Sequence, residues 1–276
     1  MDIKTFIIDK IKGYALTAIL GGGLVAVLLY FVIEIGQNFW LYFWVVISVF
    51  ILVINMFYTS LIVPLFNKLT PLEDGELRSA IEEYAKKIDF PLTNIYVIDG
   101  SKRSTKANAY FSGIGPKKKI VLYDTLIKNH SVEELVGVLA HEVGHFKKKH
   151  IISGFILSIL QVGVTFFVLS KFIFNENLSL SLGAEGLSYH LNLVAFSMLY
   201  APISELMGIF MNLFSRKNEY EADAYAAETY HSKHLQTALK KLSADNLSNL
   251  TPHPAYVFMH YSHPPLVKRL EALNKL

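Results

Sequence analysis

The chain alternates between long apolar runs and stretches where polar residues recur at helical or strand spacing. Residues 13–33, 39–66 and 151–170 carry no charge, and a fourth apolar segment, 190–214, holds Pro202 and Glu205. Each run suffices for a helix across the hydrocarbon layer, which takes about 20 residues. Gln37 and Asn38 leave so short a connection that the first two runs predict a hairpin, with both ends on one side. A signal peptide competes for the first run, because Lys4, Lys10 and Lys12 precede it. The run is too long for one, and no small-x-small cleavage site follows Ile33. Gly21, Gly22 and Gly23 predict a close helix-packing face, with a bend as the alternative. Trp40, Tyr42 and Trp44 suit the lipid headgroup level, and Asn55 reads as a hydrogen-bonding residue between helices.

Between the second and third runs the periodicity changes. Thr70 and Pro71 predict a helix start, with Thr70 as cap, and an amphipathic helix to Lys87. Short runs of apolar, β-branched and aromatic residues predict strands at 95–98, 109–111 and 120–123. Gly113, Gly115 and Pro116 end the second of these, residues 117–119 make a turn, and a short helix starts at Asp124. Ser131, with Glu134 three residues on, predicts a capping box for a helix through His145. Lys147, Lys148 and Lys149 close that helix, and the third apolar run follows, read as continuous with it or nearly so. After 214 the residues favour a helix again, then a loop over 246–254 and a last helix over 266–273.

More than half of the 276 residues are hydrophobic, with 16 glycines and 19 phenylalanines, which are membrane-protein proportions. The net charge of +3 is a weak signal for nucleic acid. Its distribution is more informative. Basic residues precede the first run, flank the second and third on one side, and follow the fourth; the 175–188 loop has none. The positive-inside rule then predicts four spans with both termini and residues 67–150 at the cytoplasmic face. The expected fold is an α-helical integral membrane protein with about four transmembrane helices and a small α+β unit, whose zincin-like catalytic character rests on the His141–His145 motif and the resemblance given below. Its parts are a two-span hairpin (1–66), an α+β segment (67–150), two further spans (151–214) and a helical segment (215–276). Compact loops favour a bacterial or archaeal inner membrane, with the endoplasmic reticulum the eukaryotic alternative. Glu205 at membrane depth lines a hydrated chamber or pairs with Asn192 or Asn212.

The chemistry concentrates at His141-Glu142-Val143-Gly144-His145. On a helix, His141 and His145 lie one turn apart and share a face. Two such imidazoles can hold one Zn²⁺, and Glu142 can take the proton of an activated water. The pentapeptide alone also arises by chance, as polar helix residues. Catalytic zinc keeps three protein ligands, and with no cysteine in the chain the third is His, Asp or Glu. Glu219 can complete the set. Asp223, one turn on, can hold a ligand histidine by its far nitrogen. Glu221 is offset and is expected to point elsewhere. A salt-bridged surface helix would explain the same residues.

H-E-x-x-H with a downstream E-x-x-x-D resembles the glutamate-zincin peptidases. The fuller resemblance is to the integral-membrane CAAX prenyl endopeptidases of type I, carried by PLFNKLTPL at 64–72, GSKRS at 100–104 with NAYF at 108–111, the metal helix, and SHPPL at 262–266 with Arg269. The heat-shock-type membrane zinc peptidases share the zinc motifs but are less similar around Asn108 and His263.

The resemblance implies that His141, His145 and Glu219 bind zinc, with Glu142 as general base and Asp223 behind the ligands. It implies that Asn108 lies on an edge pairing with substrate backbone, His263 stabilises the oxyanion, and Arg269 organises the site. It implies a zinc endopeptidase acting on a peptide or protein substrate, prenylated or not, in contact with membrane lipid and not nucleic acid. Against the family pattern of about seven spans, about three N-terminal spans are expected to be missing. The alternatives are a broad quality-control zinc protease and a non-enzymatic transporter-like or structural membrane protein. His150, His231, His234, His253 and His260 are expected to be structural.

Overall fold

The computed structural model describes residues 1–92, 94–112 and 119–276. The turn expected around Gly113, Gly115, Pro116 and Lys117 lies outside them. In chain order come helices α1 (Ile3–Leu16), α2 (Gly22–Ile35), α3 (Phe39–Phe57) and α4 (Val63–Phe66), then strand β1 (Leu69–Pro71) and helix α5 (Glu76–Lys87). Strands β2 (Ile95–Ile98), β3 (Ala109–Ser112) and β4 (Lys119–Tyr123) follow, with α6 (Asp124–Asn129) and α7 (Val132–Lys147). The rest is helical: α8 (His150–Phe172), α9 (Glu176–Ser181), α10 (Tyr189–Leu199), α11 (Ala201–Thr229), α12 (Ser232–Asp245), α13 (Pro254–His260) and α14 (Leu266–Leu273).

Two compact units result. One comprises Ile11–Val53 and Ile152–Met211. Its core is aromatic: Phe43 packs edge-on against Phe166 at 4.7 Å and Phe172 against Phe196 at 5.8 Å, around Leu28, Val32 and Phe39. Asn192 is fully buried yet satisfied: its Nδ2 donates to the Ile173 and Asn175 carbonyls, and its Oδ1 accepts from Ser179. The outward faces stay apolar; Ile19, Met198 and Phe210 are each 72% exposed, as lipid-facing side chains would be. Two helical runs are long and apolar enough to cross a membrane, Ile3–Phe66 and His150–Phe172. The bent pair Tyr189–Leu199 and Ala201–Thr229 is a third candidate. The first run breaks at Gly36, whose φ of 68° favours glycine, ahead of a tight turn through Asn38. The third bends by 50° just before Pro202, which cannot donate a backbone hydrogen bond into the helix before it.

Details of this unit depart from expectation. Gly21, Gly22 and Gly23 form no packing face: no side chain or backbone of a neighbouring element lies within 4 Å of where their Cβ atoms would be. Residues 17–21 instead make a π-turn between α1 and α2. Trp44 does not simply float at headgroup level. Its indole nitrogen donates to the Ile159 carbonyl at 2.8 Å, and Gly163 makes room for the ring. The 175–188 loop contains a short helix, α9, capped by Asn175. Glu205 is exposed, and the amides of Asn192 and Asn212 bond elsewhere, Asn212 to the Met259 carbonyl.

The other unit comprises Met1–Lys10, Ile54–Ile151 and Asn212–Leu276. Its sheet has the order β1-β2-β4-β3, with β2 and β4 parallel and the outer pairs antiparallel. The middle of the central strand β4, Ile120 to Leu122, is apolar and buried because both its faces are covered. Ile120 and Leu122 join the main core, whereas Val121 meets Val63 and Ile98 on the other side. Thr70 and Pro71, expected to start a helix, lie in β1 instead. β1 is an edge strand, where a proline's missing donor costs nothing, and the helix begins only after Gly75.

The main core gathers Ile81 and Tyr84 of α5, Leu135, Val136, Leu139 and Val143 of α7, and Leu235 of α12. α7 starts with the expected capping box, Ser131 with Glu134. Lys241 of α12 adds a 2.7 Å ion pair to the buried Glu134. α7 and α8 are separate helices: Lys149 adopts φ 60° between them. α7 meets α12 at Gly137, where a Cβ would lie 3.0 Å from the Leu235 backbone nitrogen. Gly137→Val should overpack this crossing and cost ~1–3 kcal/mol. Chemical unfolding of the detergent-solubilised chain measures it, and a loss below about 0.5 kcal/mol would mean that the helices part without strain.

Candidate metal centre

Two helices build the site. α7 presents His141 and His145 one turn apart, and α11, beyond its apolar part, presents Glu219 and Asp223 one turn apart. What brings the helices together is Gly144, which sequence reasoning passed over inside the motif. A Cβ there would lie 3.0 Å from both Cα and the carbonyl oxygen of Ala222. The signal was present: a glycine inside a helix costs ~1 kcal/mol against alanine and asks for a packing reason.

His141 Nε2 and His145 Nε2 face each other at 3.2 Å. Glu219 sends Oε1 to 3.3 Å from His145 Nε2 and Oε2 to 3.5 Å from His141 Nε2. Asp223 Oδ1 lies 2.9 Å from His141 Nδ1 and accepts its proton. With Nδ1 protonated, the His141 Nε2 lone pair is left for the site. Arg269, buried on α14, forks onto Asp223 through Nε at 2.8 Å and Nη2 at 2.6 Å. Its Nη1 lies 3.3 Å from Glu219 Oε2. The 3.4 Å approach of Arg269 Nη2 to His141 Nδ1 is a by-product of both donating to the same carboxylate oxygen. His263 enters from the loop before α14, with Nε2 3.4 Å from Glu219 Oε1, and is two-thirds exposed.

The electrostatics follow from burial and neighbours. Burial pushes the Glu142 carboxyl up, against the pull of His141 and His145. Burial would raise Glu219 too, but His145, His141, Arg269 and His263 outweigh it and hold its carboxyl at about 2. Asp223 is likewise held low against its burial, by the hydrogen bonds from Arg269 and His141. Two buried carboxylates therefore stay ionised around one guanidinium.

This donor set fits a small tetrahedral cation. Metal–ligand bonds of about 2.0–2.1 Å give tetrahedral edges of about 3.3–3.4 Å; the two imidazole nitrogens lie 3.2 Å apart, and with one donor atom from each of His141, His145 and Glu219 all three lie within 4.8 Å of one another. Glu219 Oε2 is buried with no hydrogen-bond partner, which a neutral, metal-free site would not favour. Among the described residues, His141, His145 and Glu219 are the cluster able to hold an ion.

Of the sequence candidates, His141, His145, Glu219, Asp223, Arg269 and His263 converge here, with Glu142 between the two histidines on α7. Asn108 does not join them. It is exposed just ahead of β3, its Oδ1 accepts from the Ala109 N–H at 2.9 Å, and its carbonyl accepts from the Tyr123 N–H. β3 is the sheet's outer strand and packs against α7. Glu221, expected to point elsewhere, is not one of the three donors, but it and His150, expected to be structural, lie together behind His145. His150 Nδ1 lies 3.1 Å from His145 Nδ1, and its Nε2 lies 3.0 Å from Glu221 Oε2. Position 221 lies off the metal face of α11, but His150, beyond the end of α7, carries the contact across. His231 and His234 pack with Tyr230, His253 caps α13 and His260 packs on Tyr256, all structural as expected.

An H-E-x-x-H helix joined by a glutamate from a second helix, in a chain with membrane-length apolar helices, defines a membrane metallopeptidase-type scaffold. Comparison with known proteins places it further. The family described as Peptidase family M48 matches residues 71–276, and the chain belongs to it. Residues 1–68 match the family described as CAAX prenyl protease N-terminal, five membrane helices, so this is an integral, multi-pass membrane protein. The chain is 41% identical to the CAAX prenyl protease 1 homolog of Arabidopsis thaliana, covering 99% of this chain and 64% of that one. The homolog of Oryza sativa subsp. japonica gives the same figures. The crystal structure of S. mikatae Ste24p aligns with a TM-score of 0.91 at 37% identity, covering 99% of this chain and 67% of that one. The chain thus spans about 64% of the length of these curated relatives. The expectation that about three N-terminal spans are missing finds no support in the matches, because the N-terminal family region is itself found in residues 1–68.

Arg269→Met keeps the bulk but strands the Asp223 and Glu219 charges. Breaking such a buried pair should cost about 3–5 kcal/mol. Unfolding in detergent measures it, and a loss under about 1 kcal/mol would show that the two carboxylates find other partners.

Proposed function

We propose that the chain is a zinc-dependent membrane endopeptidase acting on the C-terminal region of prenylated proteins. The observation that carries this is the set of three converging donors, two imidazole nitrogens and one buried carboxylate, beside the outer strand of a sheet. The similarity to proteins named CAAX prenyl proteases supports the substrate class.

His141, His145 and Glu219 would hold the zinc. Bound there, zinc supplies Lewis acidity toward a peptide carbonyl and toward water. Glu142, with its carboxyl raised by burial, is suited to take the attacking water's proton and return it to the departing amine. His263 is exposed beside Glu219 and can donate to the oxygen on which charge develops. An extended substrate pairing with β3 would bring its scissile bond toward α7, with Asn108 at the start of that strand positioning the backbone. Asp223 and Arg269 fix His141 and leave the charges of the site balanced.

These roles separate in one experiment. Glu142→Gln should keep its zinc while turnover falls about 10²-fold or more. Glu219→Ala should lose zinc and activity together. His263→Ala should keep zinc and lose about 2–4 kcal/mol of transition-state stabilisation. Bound zinc measured beside kcat/KM tests all three. A Glu142→Gln variant that loses its metal, or keeps kcat/KM within about a factor of two, would require another base.

The same reading has four spans, with both termini and the metal centre on the cytoplasmic side, supported by the placement of the lysines and arginines. Substrate and orientation can be tested together. Sealed vesicles of either orientation are given a farnesylated peptide ending in a C-terminal tetrapeptide, and the products are mapped by mass. Cleavage that releases the last three residues, only where the cytoplasmic face is outward, is expected. Intact farnesyl peptide alongside cleavage of an unfolded membrane protein would overturn the prenyl reading, and cleavage from the opposite face would overturn the orientation.

A further inference from the structure

We infer that His150 and Glu221 are positioning residues for the metal ligand His145, forming a relay that fixes its tautomer; this rests on the zinc reading above. The two ligand histidines face the same requirement. Each must offer its Nε2 lone pair to the centre, so each must carry its proton on Nδ1 and spend it on an acceptor behind the ring. For His141 the acceptor is the Asp223 carboxylate at 2.9 Å. Among the described residues, the group behind His145 is another imidazole and not a carboxylate. His145 Nδ1 lies 3.1 Å from Nδ1 of His150, a residue that is itself buried.

Only one arrangement of protons satisfies this chain. His145 Nδ1–H donates to His150 Nδ1, which must then be the unprotonated nitrogen of a neutral ring. His150 therefore carries its proton on Nε2, and that nitrogen lies 3.0 Å from Glu221 Oε2, which accepts it. Glu221 is the anion at the end of the relay, with its second oxygen 3.6 Å from Lys217. Reversing any bond in the chain would put two donors, or two lone pairs, face to face. Edge-on ring packing between His145 and His150, with centroids 5.1 Å apart, adds a steric hold to the polar one. Both ligand histidines are thus anchored on carboxylates of α11, His141 directly on Asp223 and His145 through His150 on Glu221. The two carboxylates flank Ala222, where α11 crosses Gly144. One short segment of α11 then supplies the third ligand and both anchors.

The test is Zn²⁺ affinity of the purified full-length chain, measured by competition with a chelator and, independently, by the visible spectrum of the Co²⁺-loaded form. His150→Phe keeps the ring and removes the relay, and affinity should fall about 10–100-fold, the usual loss when a ligand's outer partner is removed. His150→Gln can accept through its amide oxygen and donate through its amide nitrogen, so it should restore affinity to within about threefold of wild type. Glu221→Leu, at a half-exposed site where folding is tolerant, should weaken binding by about threefold or more. If His150→Phe does not fold, Glu221→Leu decides alone. Affinity and Co²⁺ spectrum unchanged in His150→Phe, equal losses in His150→Phe and His150→Gln, or unchanged affinity in Glu221→Leu would overturn the relay. Wild-type protein that binds no zinc would instead overturn the metal reading, and the two failures are thereby told apart.

Discussion

The close approach of α7 to α11 at Gly144 is the constraint on which the metal centre depends. His141, His145 and Glu219 are all short of reach, so their donor atoms meet only where the two backbones come close. The three donors meet within 4.8 Å of one another because the Gly144 backbone rests against Ala222 with no side chain between. The neighbouring crossing at Gly137 does the same for α12, so the histidine helix is held between two helices by two glycines on one of its faces. Interiors pack too densely for such crossings to widen gradually, so an added side chain acts on the site through the backbone.

Burial creates the second requirement. The centre takes the Glu219 and Asp223 carboxylates out of water, and each such charge needs a partner. Arg269 serves both, bonded to Asp223 and close to Glu219. Arg269 lies on α14, so that helix is tied to the centre. Leu273, on the same helix, is buried in the main core. The centre is therefore a set of groups that are individually costly to bury and mutually compensating: two ring nitrogens with lone pairs inward, two anions and one guanidinium, with Glu219 Oε2 making an ion pair but no hydrogen bond.

Much of this was legible in the sequence, for identifiable reasons. Helical spacing placed His141, His145, Glu219 and Asp223 on the correct faces because an α-helix has one period. The capping box at Ser131 and the strands at 95–98 and 120–123 carry local signals that tertiary contacts did not overrule. What failed was what depends on partners distant in the chain. Thr70 and Pro71 look like a helix start until a neighbouring strand, β2, offers hydrogen bonds to an edge that tolerates proline. Gly21 to Gly23 look like a packing face, but among the described residues no helix comes to use it. Glu221 is two positions from a ligand and so off the face by helix geometry. His150, beyond the end of α7 and across a left-handed Lys149, reaches back and brings Glu221 into the site.

X-ray absorption at the zinc edge of the zinc-loaded chain measures the centre most directly. The scattering should show two imidazole rings and carboxylate oxygen in the first shell, at about 2.0–2.1 Å. A first shell of three imidazoles, of oxygen alone, or with no ring scattering would contradict the assignment of His141, His145 and Glu219 as the metal's protein ligands.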